Sequence, residues 1–302
     1  MKQFALTLHY YSPKAYNFCR TILSLPHPSS ISNWTSSVDA NPGFFNEVFE
    51  YMKCIPHSDK ECNLVFDSMS IRKKILYDAS EDKFLGYCDF GGIQAEAQET
   101  PATEALVFML VGLNGKWKHP IGYFLQSKST AVIQAGLVTT AITMANNVGV
   151  RVWGVTCDGT STNLSTMTHL GCKLHGSYDE LVEYFYIPGI DRKIYYIPDA
   201  CHNIKLARNA LGTYRKFKSA DGIIDWTFIQ DLNKVQEKIG LHLANKLTSA
   251  HIDWRKNIMK VKMAAQTLSS STADAIQFLR TLEESTLSTY LLRPCCTVYI
   301  LS

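Results

Sequence analysis

The stretch VTCDGTSTN, Val155 to Asn163, decides the fold. A short apolar run stops at an aspartate, and a glycine and small polar residues follow. That is how a buried strand reads when it gives way to a turn and a helix. Upstream, STAVIQAGLVTTAITMANNVGV is a helix of about five turns, capped by Ser129 or Thr130 and ended near Asn147 and Gly149. RVWGVTC follows directly as a strand. Asp158 therefore stands at the end of a strand that comes after a long helix. It can cap a helix beginning at Ser161, or it can be half of a metal site.

Working outward, CNLVFDSMSIRKKILYD from Cys62 alternates in part and is rich in β-branched and bulky residues. EALVFMLVGLNG and PIGYFLQS read as two more strands, with Asn114-Gly115 as a hairpin signal. After Asp158 come a helix (TSTNLSTMTHLGC), a strand (KIYYIPD) and a helix (CHNIKLARNALGTY). Strand, strand, strand, helix, strand, helix, strand, helix predicts an α/β fold: a mixed sheet with helices on its faces.

Before the sheet, Tyr11 to Lys53 reads as short helices broken by tight turns. Ser12 is a cap with Pro13 at the first helical position; LPHPSS interrupts, and SISNWTSSVD and NPGFFNEVFEYMK are two further helices. This suits a helix-turn-helix module or a plain helical cap on the next domain. After about Lys216 the strands disappear. Trp226, Ile229, Leu232, Val235, Ile239 and Leu243 recur every three or four residues, an amphipathic helix, and IDWRKNIMKVKMAAQTLSSSTADAIQFLRTL is mainly helical. The region is expected to be all-α.

The 302 residues are 46% hydrophobic, enough for one large or two modest domains. A net charge of +3 indicates no polybasic arm. The nine cysteines form no CxxC pair, no apolar run is long enough to span a bilayer, and the N-terminus does not read as a secretory signal, so a reducing compartment with free thiols is expected.

Asp67 follows the strand NLVF as Asp158 follows VWGVTC. If the first and fourth strands are neighbours, about 4.8 Å apart, two carboxylates repel unless a cation lies between them. Mg²⁺ prefers such oxygen ligands, and two ions about 4 Å apart serve both the attacking and the leaving oxygen of a phosphodiester. The alternative has Asp158 as a helix cap and Asp67 facing solvent at a strand end. Asp199 suits a cap for its following helix. Cys157, Cys172, Cys201 and His202 could be zinc ligands, but their spacing matches no common pattern. Lys205 and Arg208 share a helix face, solvated or set to meet phosphate. NKLTSAHIDWRKNIMKVKMAAQTLSSS is rich in Lys, Arg, Asn and Ser but lacks the P-loop GxxxxGK[ST].

Together YSPKAYNF, LPHPSSISNW, FDSMSIRKKI, GYCDFGG, VTCDGTSTN, PDACHNIKLARN and MKVKMAAQTLSSSTADAI, in this order, resemble the P-element transposase family, in particular its animal THAP-type members. The resemblance covers roughly Tyr10 to Phe278. It implies a helix-turn-helix module (1–58), a ribonuclease-H-like transposase core (59–212) and part of a helical GTP-binding insertion (213–302). It implies a DDE acidic triad with Mg²⁺: Asp67, in FDSMSI, as first catalytic acid and metal ligand, and Asp158, in VTCDGTS, as the second, 91 positions on. Asp199 competes for the second place. Lys246, Lys260, Val261 and Ser269 match the family's guanine-nucleotide segment, where GTP supports assembly on DNA and does not fuel the chemistry. The implied partners are transposon ends and target DNA, bound by a homo-oligomer in the nucleus, with no membrane.

The sequence also departs from the pattern. It has no CxxxxC start of a THAP zinc module. The third acid, a glutamate beyond the insertion, has no match; Glu283 and Glu284 lack its context, and STLSTYLLRPCCTVYILS fits neither the family nor an amphipathic helix. The expectation is a truncated or decayed copy of a transposase, or an incomplete reading of its gene. The alternative is a catalytically inactive, domesticated protein that binds DNA or a partner.

Overall fold

The computed structural model describes residues 1–35, 40–79, 82–91, 100–128, 130–219, 222–243 and 245–285. They form two units, Met1–Trp153 and Gly154–Ser302. Ser129 and the tail from residue 286 lie outside the described residues.

The first unit opens with three helices, α1 (Lys2–Tyr11), α2 (Pro13–Arg20) and α3 (Pro28–Thr35). Ser12 caps α2, its Oγ accepting the Ala15 N–H at 3.1 Å, with proline at N1 as expected. Ala5, Tyr16 and Ile31 are buried together, one from each helix. The helical region starts at Lys2 and not at Tyr11, because Ala5 and its partly buried neighbours Leu6 and Leu8 give α1 an apolar side. The segment NPGFFNEVFEYMK, expected to be a helix, is first the strand β1 (Gly43–Phe44) and then α4 (Asn46–Met52). The reason is Phe44, whose ring packs edge-on against Phe49, Phe108 and Phe124.

β2 (Glu61–Ser70), β5 (Glu104–Gly112) and β6 (Lys118–Gln126) form an antiparallel meander; the small hairpin β3 (Leu76–Asp78) and β4 (Lys83–Leu85) is a separate sheet. The β5–β6 hairpin turns at Asn114-Gly115, as its sequence signals, with Gly115 at φ 71°. Close approach governs the far edge: a Cβ on Gly122 of β6 would lie 2.5 Å from the Gly43 carbonyl oxygen of β1. α5 (Ala131–Asn147) is capped by Thr130, whose side chain accepts the Ile133 N–H. β7 (Arg151–Cys157) follows, and its first residues are tied to β2. The Arg151 N–H donates to Lys60 O at 2.8 Å, and the Glu61 carboxylate accepts from the Arg151 guanidinium and the Trp153 indole.

In the second unit, β7 runs parallel to β9 (Ile190–Pro198), and β8 (Tyr184–Ile187) pairs antiparallel to β9. The seven-stranded order is β1-β6-β5-β2-β7-β9-β8: a mixed sheet in which the first and fourth predicted strands, β2 and β7, are neighbours. Helices α6 (Ser161–Leu170) and α7 (Ala200–Tyr214) follow β7 and β9.

The region beyond α7 is not all-α. β10 (Lys216–Ser219) and β11 (Gly222–Asp225) form a hairpin in which Phe217 faces Ile224, and both pack on the core below. Four-residue strands carry too little alternation to stand out beside helical sequence. Then come α8 (Trp226–Ile239), α9 (Ser249–Ile252), a single turn of 3₁₀ helix (Trp254–Asn257), α10 (Val261–Thr267) and α11 (Ser270–Ser285). Leu211, Trp226, Ile229, Leu232, Leu247, Trp254 and Ala275 make the core. The expected stripe ends early: Gly240, left-handed, stops α8, and Leu243 packs from the following loop. Buried Gln236 takes the helical position instead, its Oε1 accepting the Leu243 N–H (3.0 Å) and the Asn245 amide (2.7 Å).

Candidate active site and nucleotide segment

Asp67 lies on β2 opposite Val107 of β5, where the alternating burial of the strand gives way to exposed residues. Its Oδ1 accepts the N–H of Ser68 at 2.8 Å. One residue on, Ser68 Oγ accepts from Gln126 Nε2 at 3.2 Å, and the same amide reaches Glu104 Oε2 at 3.2 Å. The sequence marked Asp67 but not Gln126, whose buried amide belongs to a strand two places away in the sheet.

Asp158 directly follows β7 and is half-buried. It does not cap α6. The N-cap is Thr160, without a side-chain cap bond, and Asp158 Oδ1 accepts the Thr160 N–H (3.1 Å) and the Asn163 side-chain amide (2.7 Å). Tyr196 of β9 is buried nearby, its phenol pushed up to about 12 by burial first, and then by Cys157, Asp158 and Cys172. Asp199, in contrast, is the cap its sequence predicts, accepting the N–H of Cys201 (2.9 Å) and His202 (3.2 Å), while its own N–H donates to Cys157 O. Both carboxylate oxygens of Asp199 are thus committed to the start of α7.

Cys157 and Cys172 are buried and Cys201 is exposed. Burial, aided by the charge of Glu183, raises the Cys172 thiol to about 11, away from the thiolate a zinc site needs. Among the described residues no three His, Cys, Asp or Glu side chains gather into a metal-holding group. Carboxylate oxygens, the donors that Asp67 and Asp158 each offer, suit a hard divalent cation.

Lys246 is exposed on the loop after α8, and Lys260, also exposed, is the N-cap of α10. Val261 begins α10 and is half-buried. Ser269 stands before α11, its Oγ donating to Gln266 O (2.9 Å) and accepting the Thr272 N–H (3.3 Å). Arg208, read as solvated or phosphate-facing, is fully buried. Its Nη2 donates to the carbonyls of Asn257 (2.9 Å) and Ile258 (3.1 Å), and its Nε to Asn209 Oδ1 (2.7 Å). Burial holds its pKa below the usual value. It therefore fixes the turn that leads into Lys260. A one-turn spacing on α7 gave no sign of this, because the acceptors lie 49 and 50 positions away.

A mixed sheet with Asp67 on the strand β2, Asp158 just after β7 and helices after the later strands defines a class, the ribonuclease-H-like fold. Three family models match in chain order: Transposable element P transposase-like, HTH domain, at residues 1–34; TNP-like, RNase H N-terminal domain, at 40–171; and TNP-like, GTP-binding insertion domain, at 201–290. Human DNA transposase THAP9 is 32% identical over 94% of this chain and 32% of its own length. Transposable element P transposase of Drosophila melanogaster is 26% identical over 90% of this chain and 34% of its own. The solved Drosophila P element transposase strand transfer complex aligns with a TM-score of 0.75 at 25% identity, covering 93% of this chain and 59% of that one. The chain belongs to the P-element transposase family and is similar to its THAP9 type. It spans about a third of the length of the curated relatives it matches.

Proposed function

We propose that this chain is part of a P-element-like DNA transposase, acting in the nucleus. Its reaction is metal-dependent cleavage of a phosphodiester at the end of a DNA element, followed by attack of the freed 3′-hydroxyl on target DNA. The observation that carries this reading is the ribonuclease-H-like mixed sheet, whose strand β2 carries Asp67 and whose strand β7 ends just before Asp158. We assign Asp67 and Asp158 to hold Mg²⁺. Bound Mg²⁺ supplies a polarised phosphodiester and an activated oxygen nucleophile. The chain supplies carboxylates already oriented by Ser68, Thr160 and Asn163.

In the second unit we assign GTP to Lys246, Lys260, Val261 and Ser269. The two ammonium groups are exposed and can meet phosphate oxygens. The nucleotide serves assembly of a homo-oligomer on transposon ends and takes no part in cleavage.

A strand-transfer assay with terminal-repeat DNA and Mg²⁺ tests the reading. Asp67→Ala and Asp158→Ala are each expected to lower the rate by more than about a hundredfold, since direct ligands exceed the effect of outer-shell partners. Activity that survives either change sinks that residue's metal assignment. Inactivity of the unmutated chain with DNA binding retained favours the alternative of a non-catalytic DNA- or partner-binding descendant.

A further inference from the structure

We infer that Asn163 is a positioning residue that sets which oxygen of Asp158 faces the metal, an inference that rests on the metal reading of Asp158 proposed above. Asn163 is the third residue of α6 and only 8% exposed. The third position of a helix ordinarily favours an acid or Gln, which complements the helix dipole or closes a capping box. Here it carries a neutral amide turned back past the N-cap. Its Nδ2 donates to Asp158 Oδ1 at 2.7 Å and lies 3.5 Å from the Asp158 main-chain oxygen. The Thr160 N–H donates to the same Oδ1 at 3.1 Å. Among the described residues no donor is directed at Oδ2.

Two donors on one oxygen fix the carboxylate torsion and use the lone pairs of that oxygen. Oδ2 keeps its lone pairs for an external cation. An acid at position 163 would place a second negative charge against Asp158, so the neutral amide is the choice that serves the carboxylate at the expense of the helix. The start of α6 bears this out, since the Thr160 side chain caps nothing and its N–H is spent on Asp158.

The test measures Mn²⁺ binding to the full chain by electron paramagnetic resonance, with thermal melting followed in parallel. Asn163→Ala is expected to weaken Mn²⁺ binding roughly tenfold or more. Asn163→Gln, which retains an amide, should recover part of that loss. Thr160→Pro removes the other donor at a φ that suits proline, since Thr160 already has φ −63° and proline needs about −65°. It is expected to weaken Mn²⁺ by a few-fold with the melting temperature little changed, and it serves if Asn163→Ala fails to fold. Mn²⁺ affinity unchanged in folded Asn163→Ala, or in Thr160→Pro, overturns the inference while leaving the metal assignment standing. Mn²⁺ affinity unchanged in Asp158→Ala, or no binding by the unmutated chain, overturns the metal assignment and this inference with it.

Discussion

At the scale of single residues, close packing explains what charge and periodicity do not. Arg208 and Gly212 lie one turn apart on α7 and grip the segment from Trp254 to Ile258, one by hydrogen bonds and the other by having no side chain. A Cβ on Gly212 would stand 2.3 Å from Trp254 Nε1, and the indole is buried with little room to retreat. Gly212→Ala is therefore expected to lower stability by about 1–3 kcal/mol, the usual cost of overpacking, measured by urea unfolding. The sequence could not disclose this pairing, since nothing local links a glycine in a helix to a tryptophan 42 positions on. Asp158 was legible, because strand patterning stops at it. Asn163 was visible only as a polar residue early in a helix; that it turns back onto Asp158 depends on the angle at which α6 leaves the strand.

Among elements, caps and short strands divide the legible from the illegible. α5, β7, the β5–β6 hairpin and the Asp199 cap all follow local rules repeated over many residues or marked by a specific turn. β1, β8, β10 and β11 have two to four residues each, too few for a period to register, and β1 is in addition held by the distant strand β6. Asp225 joins the last hairpin to α8, its Oδ1 accepting from the amide and hydroxyl of Thr227 while Lys216 pairs with Oδ2. Burial opposes its ionisation, but Thr227 and Lys216 outweigh burial and hold the carboxyl below the ordinary aspartate range. A depressed folded-state pKa gives stability that is complete above the unfolded value and lost as the pH falls through the folded one. Asp225→Ala should thus cost about 1 kcal/mol near neutral pH, as cap removal does. The gap to the unmutated chain should close as the pH drops below about 4 in a series of thermal melts.

For the whole molecule, family-scale order carried more than any local feature. Seven short motifs in sequence gave the ribonuclease-H-like core and the insertion domain, which matching family models bear out; they did not reveal the hairpin that opens the last region. No helix among the described residues is long and apolar enough to cross a membrane. The proposed GTP role belongs at this scale, because it concerns assembly. Titration with a fluorescent guanine nucleotide should show binding by the unmutated chain. Lys246→Ala and Lys260→Ala should each weaken it about tenfold, the worth of a charged hydrogen bond. Ser269→Ala should lower the melting temperature as well, because Ser269 accepts an N–H at the start of α11. Absence of binding removes GTP from the proposed function.

The course of α7 has a practical consequence. Its first residues are capped by Asp199, whose N–H holds the end of β7, while Leu211 and Gly212 at its other end belong to the packing around Trp254. A fragment excised just after α7 would uncover that indole and strip the carbonyls of Asn257 and Ile258 of their donor. A self-standing piece of this region therefore has to be cut upstream of Ala200, and it takes with it the helix capped by Asp199, whose N–H holds Cys157 O.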